Sequence, residues 1–208
     1  FFSFSLLPVL LTRSDAPYLE IIDKLELGNL LHRAPAGFWG AACAGAISAS
    51  FFAMAPVFSQ ELGLSTTQIS YFMAAGVLGG VVLQVPLGKL SDRLERRLVL
   101  SAVCLGSLLC CVVLVWCVLF HASFSVIVSS AFAFGSLAFV IYPLSAAHAN
   151  DWCGQDKMMQ TSSGLLVGYG CGAILGPLLS SALMVRFGPA MLFVFIGGNC
   201  LILMLYCL

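Results

Sequence analysis

The chain has 208 residues, of which 61% are hydrophobic and only 9% charged, with nine Lys/Arg offset by nine Asp/Glu. Ordinary soluble domains carry roughly 25% charged residues, so this composition excludes a water-soluble globular domain. A net charge of zero argues against a nucleic-acid partner.

In chain order, Phe1–Thr12 is a short apolar run that stops at Arg13. No initiator Met and no basic-then-apolar leader precedes it, so residues 1–12 are expected to end a preceding transmembrane helix and the chain to be a fragment. Residues 13–36 are expected to form a linker at the membrane surface. Within it, Asp15–His32 is predicted as a helix. Ser14 or Asp15 can cap it, Pro17 suits a first turn, and Tyr18, Ile21, Ile22 and Leu25 share a face.

From there on, the charges stand far apart. No Asp, Glu, Lys or Arg occurs between Arg33 and Glu61, between Glu61 and Lys89, in Leu98–Asn150, in Met158–Val185 or in Phe187–Leu208. A helix rises about 1.5 Å per residue, so about 20 apolar residues cross about 30 Å of hydrocarbon. Backbone groups in lipid must be satisfied within the segment, and these runs lack the alternation of barrel strands. The prediction is an all-α polytopic membrane protein with spans near 37–60, 68–89, 98–120, 124–147, 161–185 and 189–208. Residues 37–208 thus form one six-helix transmembrane unit in contact with the lipid bilayer. Eight of the nine cysteines lie in spans, where they serve as small apolar residues, and Cys153 lies in a loop.

Charge also orients the unit. With the Lys89–Arg97 turn in the cytoplasm, Arg13, Lys24, Arg33, Lys89, Arg93, Arg96, Arg97 and Lys157 all face inward and only Arg186 faces out. The positive-inside rule selects this arrangement, with both ends of the six-helix unit cytoplasmic.

That turn, Gly88-Lys-Leu-Ser-Asp92-Arg93-Leu-Glu-Arg96-Arg97-Leu-Val-Leu100, is the most specific feature. A plain basic loop would need the cations but not Gly88, Asp92 or their spacing. It resembles the signature of the major facilitator superfamily, G-x-L-[A/G]-D-R-x-G-R-R-x-x-[L/I]. Ser91 and Glu95 depart from that pattern. In that family the motif recurs, often degenerate, between helices 8 and 9. Ala55-Pro56, Gln84-Val-Pro86-Leu-Gly88, Tyr142–Asp151 and Gly170–Pro177 further resemble the C-terminal half, helices 7–12, of an uncharacterised bacterial branch of transporters. The resemblance implies one lobe of a twelve-helix transporter in a bacterial inner membrane. It also implies a missing N-terminal six-helix half as partner and a small-molecule substrate moved by alternating access. Gly88, Asp92, Arg93, Arg96 and Arg97 would form the gating motif. A transporter-like sensor or scaffold without transport activity is the alternative. An enzyme is disfavoured: no Ser/His/Asp set, metal cluster or phosphate loop is present, and no cofactor is expected.

Two stripes of small residues recur every four positions: Gly76, Gly80, Gln84 and Gly88, then Gly164, Gly168, Gly172 and Gly176, the second followed by Pro177. Such spacing marks one helix face suited to close packing. By the resemblance both stripes are expected to face the missing half; packing within this half is the alternative. Pro56, Pro86, Pro143 and Pro177 are expected to kink their spans. By family analogy Phe51, Phe52, Met54 and Tyr142 are candidates for the substrate path, with Tyr71 and Tyr169 as further ones; aromatics that pack or anchor at the interface are the alternative. His148, Asn150 and Asp151 are candidates for a cytoplasmic gate.

Overall fold

The computed structural model describes residues 27–153 and 158–208. The proposed helix end at 1–12 and most of the 15–32 helix lie outside them. Among the described residues the chain is helical throughout, as α1 (Leu27–Arg33), α2 (Pro35–Glu61), α3 (Thr66–Ser91), α4 (Arg96–Leu119), α5 (Phe124–Ala138), α6 (Ile141–Cys153), α7 (Met158–Phe187) and α8 (Met191–Cys207). Five segments are long and apolar enough to cross a bilayer: α2, α3, α4, α5 with α6, and α7. The apolar α8 has 17 residues. The helix bounds fall within about three residues of those expected from the charge-free runs, with two exceptions: α2 begins inside the stretch assigned to the linker, and the fourth span runs six residues past its expected end, so that Cys153, expected in a loop, closes α6.

Local chemistry sets the boundaries. Pro35 opens α2, where its missing N–H costs nothing. Gly63 ends it at φ 75°, and the bonds Gly63 N–H to Gln60 O (2.9 Å) and Leu64 N–H to Ser59 O (3.1 Å) close a left-handed cap. Ser65 then starts α3 with a capping box: its hydroxyl accepts from the Gln68 N–H while the Gln68 side chain accepts from the Ser65 N–H. Inside the bundle, Ser59, Ser107 and Ser145 return their hydroxyls to the carbonyls of Ala55, Val103 and Ile141. This satisfies polar groups where lipid would not.

The helices pack as close pairs, α2 with α7, α3 with α5 and α4 with α8, and α6 lies against α2. The first two pairs touch backbone to backbone. A Cβ on Gly172 would collide with the Ala42 carbonyl, and one on Gly45 with the Tyr169 carbonyl. A Cβ on Gly135 would strike the Gly76 carbonyl, and one on Gly79 the Phe132 carbonyl. Between the pairs lies an aromatic core of Phe51, Phe58, Phe72, Phe134 and Phe193, all fully buried.

These contacts correct the expected direction of the stripes. The rings of Phe51 and Phe139 fill the space over Gly76 and Gly80. Phe38, Ala42 and Ala46 of α2 fill that over Gly168, Gly172 and Gly176, and Gly164 is buried as well. Those faces are occupied within this lobe. Only the far end of the first stripe stays open: Gln84 is exposed, and nothing lies within 4 Å of a Cβ on Gly88.

Candidate functional site

Two places bring the candidate residues together. The first is the basic end of the lobe. Ser91 closes α3, Asp92 caps it, and Arg96 opens α4 one tight turn later. The chain reverses with Asp92 N–H bonded to Gly88 O and Leu94 N–H to Leu90 O, both at 3.1 Å. That turn aims the Arg96 guanidinium at two carboxylates. Its Nη2 lies 3.2 Å from Asp92 Oδ1, and its Nε donates to Asp151 Oδ2 near the end of α6. One cation thereby ties the α3–α4 turn to the last turn of α6. Arg96 is 22% exposed, but Asp92 and Asp151 are 65% and 53% exposed. Water screens such pairs, and each is worth about 0.5 kcal/mol. A link this weak can be made and broken readily.

The other gate candidates part company. Arg97, the next residue, turns away from the carboxylates, and its Nη2 donates to the Tyr206 carbonyl at 3.4 Å. His148 is buried and lines a separate pocket with Arg97. Asn150 Oδ1 is buried with no hydrogen-bond partner among the described residues. Arg93 is exposed.

The second place is a break inside one span. Helix α5 stops at Ala138 and α6 starts at Ile141. Pro143 lies four residues after Phe139, so the position that would normally donate to the Phe139 carbonyl carries no N–H. Val140 N–H bonds the Leu137 carbonyl at 3.2 Å, one residue short of the α-helical pattern. At the break, Phe139 stacks on Phe52 with centroids 5.3 Å apart and planes at 6°. Tyr142, just beyond, meets Tyr169 of α7 edge-on at 5.1 Å. Phe52 is 50% exposed, and both tyrosines are half-buried.

Phe51 is corrected. It is fully buried and packs against Phe72, Phe134 and Phe139, so it belongs to the core and not to a path. Met54 is half-buried against the same core. Tyr71 lies apart from the tyrosine pair, in a groove of about 670 Å³ between α3 and α5 with Leu78, Phe124 and Phe132. Pro56, Pro86 and Pro177 sit inside unbroken helices.

Comparison with known proteins decides the family. Residues 37–208 match the Major Facilitator Superfamily. The chain belongs to the Major Facilitator Superfamily. It is 28% identical over 199 residues to the uncharacterized MFS-type transporter YcaD of Escherichia fergusonii, covering 93% of this chain and 49% of that protein. It is likewise 28% identical over 192 residues to the uncharacterized MFS-type transporter YE1530 of Yersinia enterocolitica, covering 90% and 46%. The YcaD of Escherichia coli K12 matches at 28% over 199 residues. The chain spans about half the length of these relatives.

For this Major Facilitator Superfamily lobe, sequence reasoning missed Phe139, Trp152 and Tyr206. Phe139 had a readable signal, its place four residues ahead of Pro143. The other two gain their place from a pocket whose further walls, Arg33 and Arg97, come from distant parts of the chain. Among the described residues no group of three or more His, Cys, Asp or Glu is placed to hold a metal.

Proposed function

We propose that this chain is the C-terminal lobe of a secondary transporter that moves a small solute by alternating access, completed by a second six-helix half. Its family points to a transporter and not to an enzyme. The observation that carries the mechanism is Arg96 bridging Asp92 and Asp151. Residues 13–36 would link the halves, and the basic end would face the cytoplasm by the positive-inside rule.

That geometry is compatible with the following cycle. With the cytoplasmic ends together, Asp92 can also accept hydrogen bonds from the free N–H groups of a helix N-terminus in the other half. Gly88, open on its lobe-free side, permits that approach. Separation of the ends breaks these bonds, so the cluster favours one conformation over the other by a few kcal/mol. The substrate would sit at mid-membrane beside the α5–α6 break. There Phe52 and Phe139 offer aromatic faces, and Tyr142 and Tyr169 offer hydroxyls. Discontinuous helices commonly mark such sites in transporters.

The test is solute flux into or out of vesicles carrying the full-length protein, with and without Asp92→Asn. Flux in the wild type and its loss in the variant support the proposal. Equal flux in both removes the gating role, and no flux with any solute favours a sensor or scaffold.

A further inference from the structure

We infer that a pocket at the basic end of the lobe binds the phosphate headgroup of an anionic phospholipid. The pocket has a volume of about 340 Å³ and lies where five helices end or begin. Its walls carry Arg33 from the end of α1, Pro35 from the start of α2, Arg97 from α4, His148 and Trp152 from α6, and Tyr206 from α8.

Its charge selects an anion. Arg33 and Arg97 bring two permanent cations to one small volume. Both ion pairs among the described residues belong to Arg96, whose charge is met by Asp92 and Asp151, and the charges that act on His148 include Asp151 and Glu95 as well as Arg96 and Arg97. Arg97 gives one donor to the Tyr206 carbonyl, and among the described residues the rest of its guanidinium fork has no hydrogen-bond or ion-pair partner. A planar fork suits the oxygens of a phosphate. His148, only 7% exposed, forms the floor, and its ring packs 6.2 Å from Trp152. The adjacent residues Arg96 and Arg97 therefore serve different partners, one internal and one external.

The surroundings select a lipid over a soluble anion. Trp152 and Tyr206 are 64% and 44% exposed, and such amphipathic rings settle at headgroup depth. Ile202, four residues before Tyr206 and so on the same face of α8, is 65% exposed. Leu98 on α4 and Leu205 on α8 add further exposed apolar side chains at this end of the lobe, 59% and 62% exposed. The pocket thus opens onto an apolar surface that can carry acyl chains while the head stays among the arginines. Basic pockets between transmembrane helices bind anionic headgroups in this manner. The inference concerns binding, and it stands or falls apart from transport.

The experiment measures phospholipid retained by the purified full-length protein, by native mass spectrometry. The protein is titrated in detergent with dioleoylphosphatidylglycerol, with dioleoylphosphatidylcholine and with inorganic phosphate. Phosphatidylglycerol should bind in preference to phosphatidylcholine, and excess inorganic phosphate should not displace it. The double variant R33Q/R97Q should lose affinity for phosphatidylglycerol about tenfold or more, while R33K/R97K should keep most of it. Arg186→Gln, at the far end of α7, should bind like the wild type. Should R33Q/R97Q fail to run as a single species, Arg33→Gln alone carries the test, since that side chain is exposed; it should weaken binding by about threefold or more. Unchanged binding in the arginine variants overturns the inference. Displacement by inorganic phosphate identifies a soluble-anion site and overturns the lipid assignment. Equal binding of phosphatidylcholine shows that the headgroup charge is not read.

Discussion

The two glycine stripes have the same spacing and different fates. On α7, Gly164, Gly168, Gly172 and Gly176 are all buried, and the last three lie against α2. On α3, Gly76 and Gly80 are buried, but Gln84 and Gly88 emerge beside the exposed Val81 and Val85. Four-residue spacing fixes a face and says nothing about what covers it. The α7 stripe is spent on building the lobe. The second half of the α3 stripe is left for something outside it, and in the proposed transporter that is the other half of the protein.

Substitutions along the two stripes and beside them test this contrast. The largest effect is expected at the seams. Gly172→Leu drives a side chain into the Ala42 carbonyl, and Gly135→Leu one into the Gly76 carbonyl. Neither obstacle is a flexible side chain, so each should cost about 3 kcal/mol. Thermal melting in detergent should show a large drop or no folded protein. Preserved melting would mean that the helix pairs are looser than the structure shows.

Gly88→Ala should behave in the opposite way. A Cβ there meets nothing, and replacing a mid-helix glycine gains about 0.5–1 kcal/mol. The lobe should melt slightly higher, while transport by the full-length protein falls because the approach of the other half is obstructed. A fall in stability with intact transport would reverse the reading of this position.

Pro143→Ala restores an N–H that can reach the Phe139 carbonyl. Hydrogen exchange across residues 139–144 should slow as the helix becomes continuous. Exchange as fast as in the wild type would show that stacking of Phe139 on Phe52, and not the proline, holds the break open.

The smallest effect on stability is expected at Arg96. Arg96→Gln removes two screened ion pairs and should cost about 1 kcal/mol or less, with the difference shrinking as salt rises. A much larger loss would mark the cluster as part of the core.

The sequence disclosed the transmembrane layout because a run of 20 or more residues without a full charge has one solvent that suits it. It disclosed the turn Gly88–Leu100 because glycine, aspartate and arginine must stand at fixed offsets there. It did not disclose side-chain direction. Phe51 and Phe52 are neighbours with the same side chain, yet one is fully buried and the other half exposed. That difference is set by Phe72 and Phe134, which come from other helices and pack on Phe51. Nor did it single out Pro143 among the four prolines. Only there does the residue four positions earlier fill a space over glycine, Phe139 over Gly80, and so gain packing that offsets the lost helical bonds. Pairing of Arg96 with Asp151, 55 residues away, likewise needed the fold.

The most direct measurement of the proposed gate is the distance between the cytoplasmic ends of the two halves in the full-length protein. One spin label would replace Lys89, which is exposed on α3, and a second would sit on the corresponding exposed turn of the other half. The account predicts that Asp92→Asn shifts the distance distribution toward the separated state by about tenfold in population, and Arg96→Gln in the same direction by about fivefold or less. Distributions indistinguishable from the wild type would contradict it.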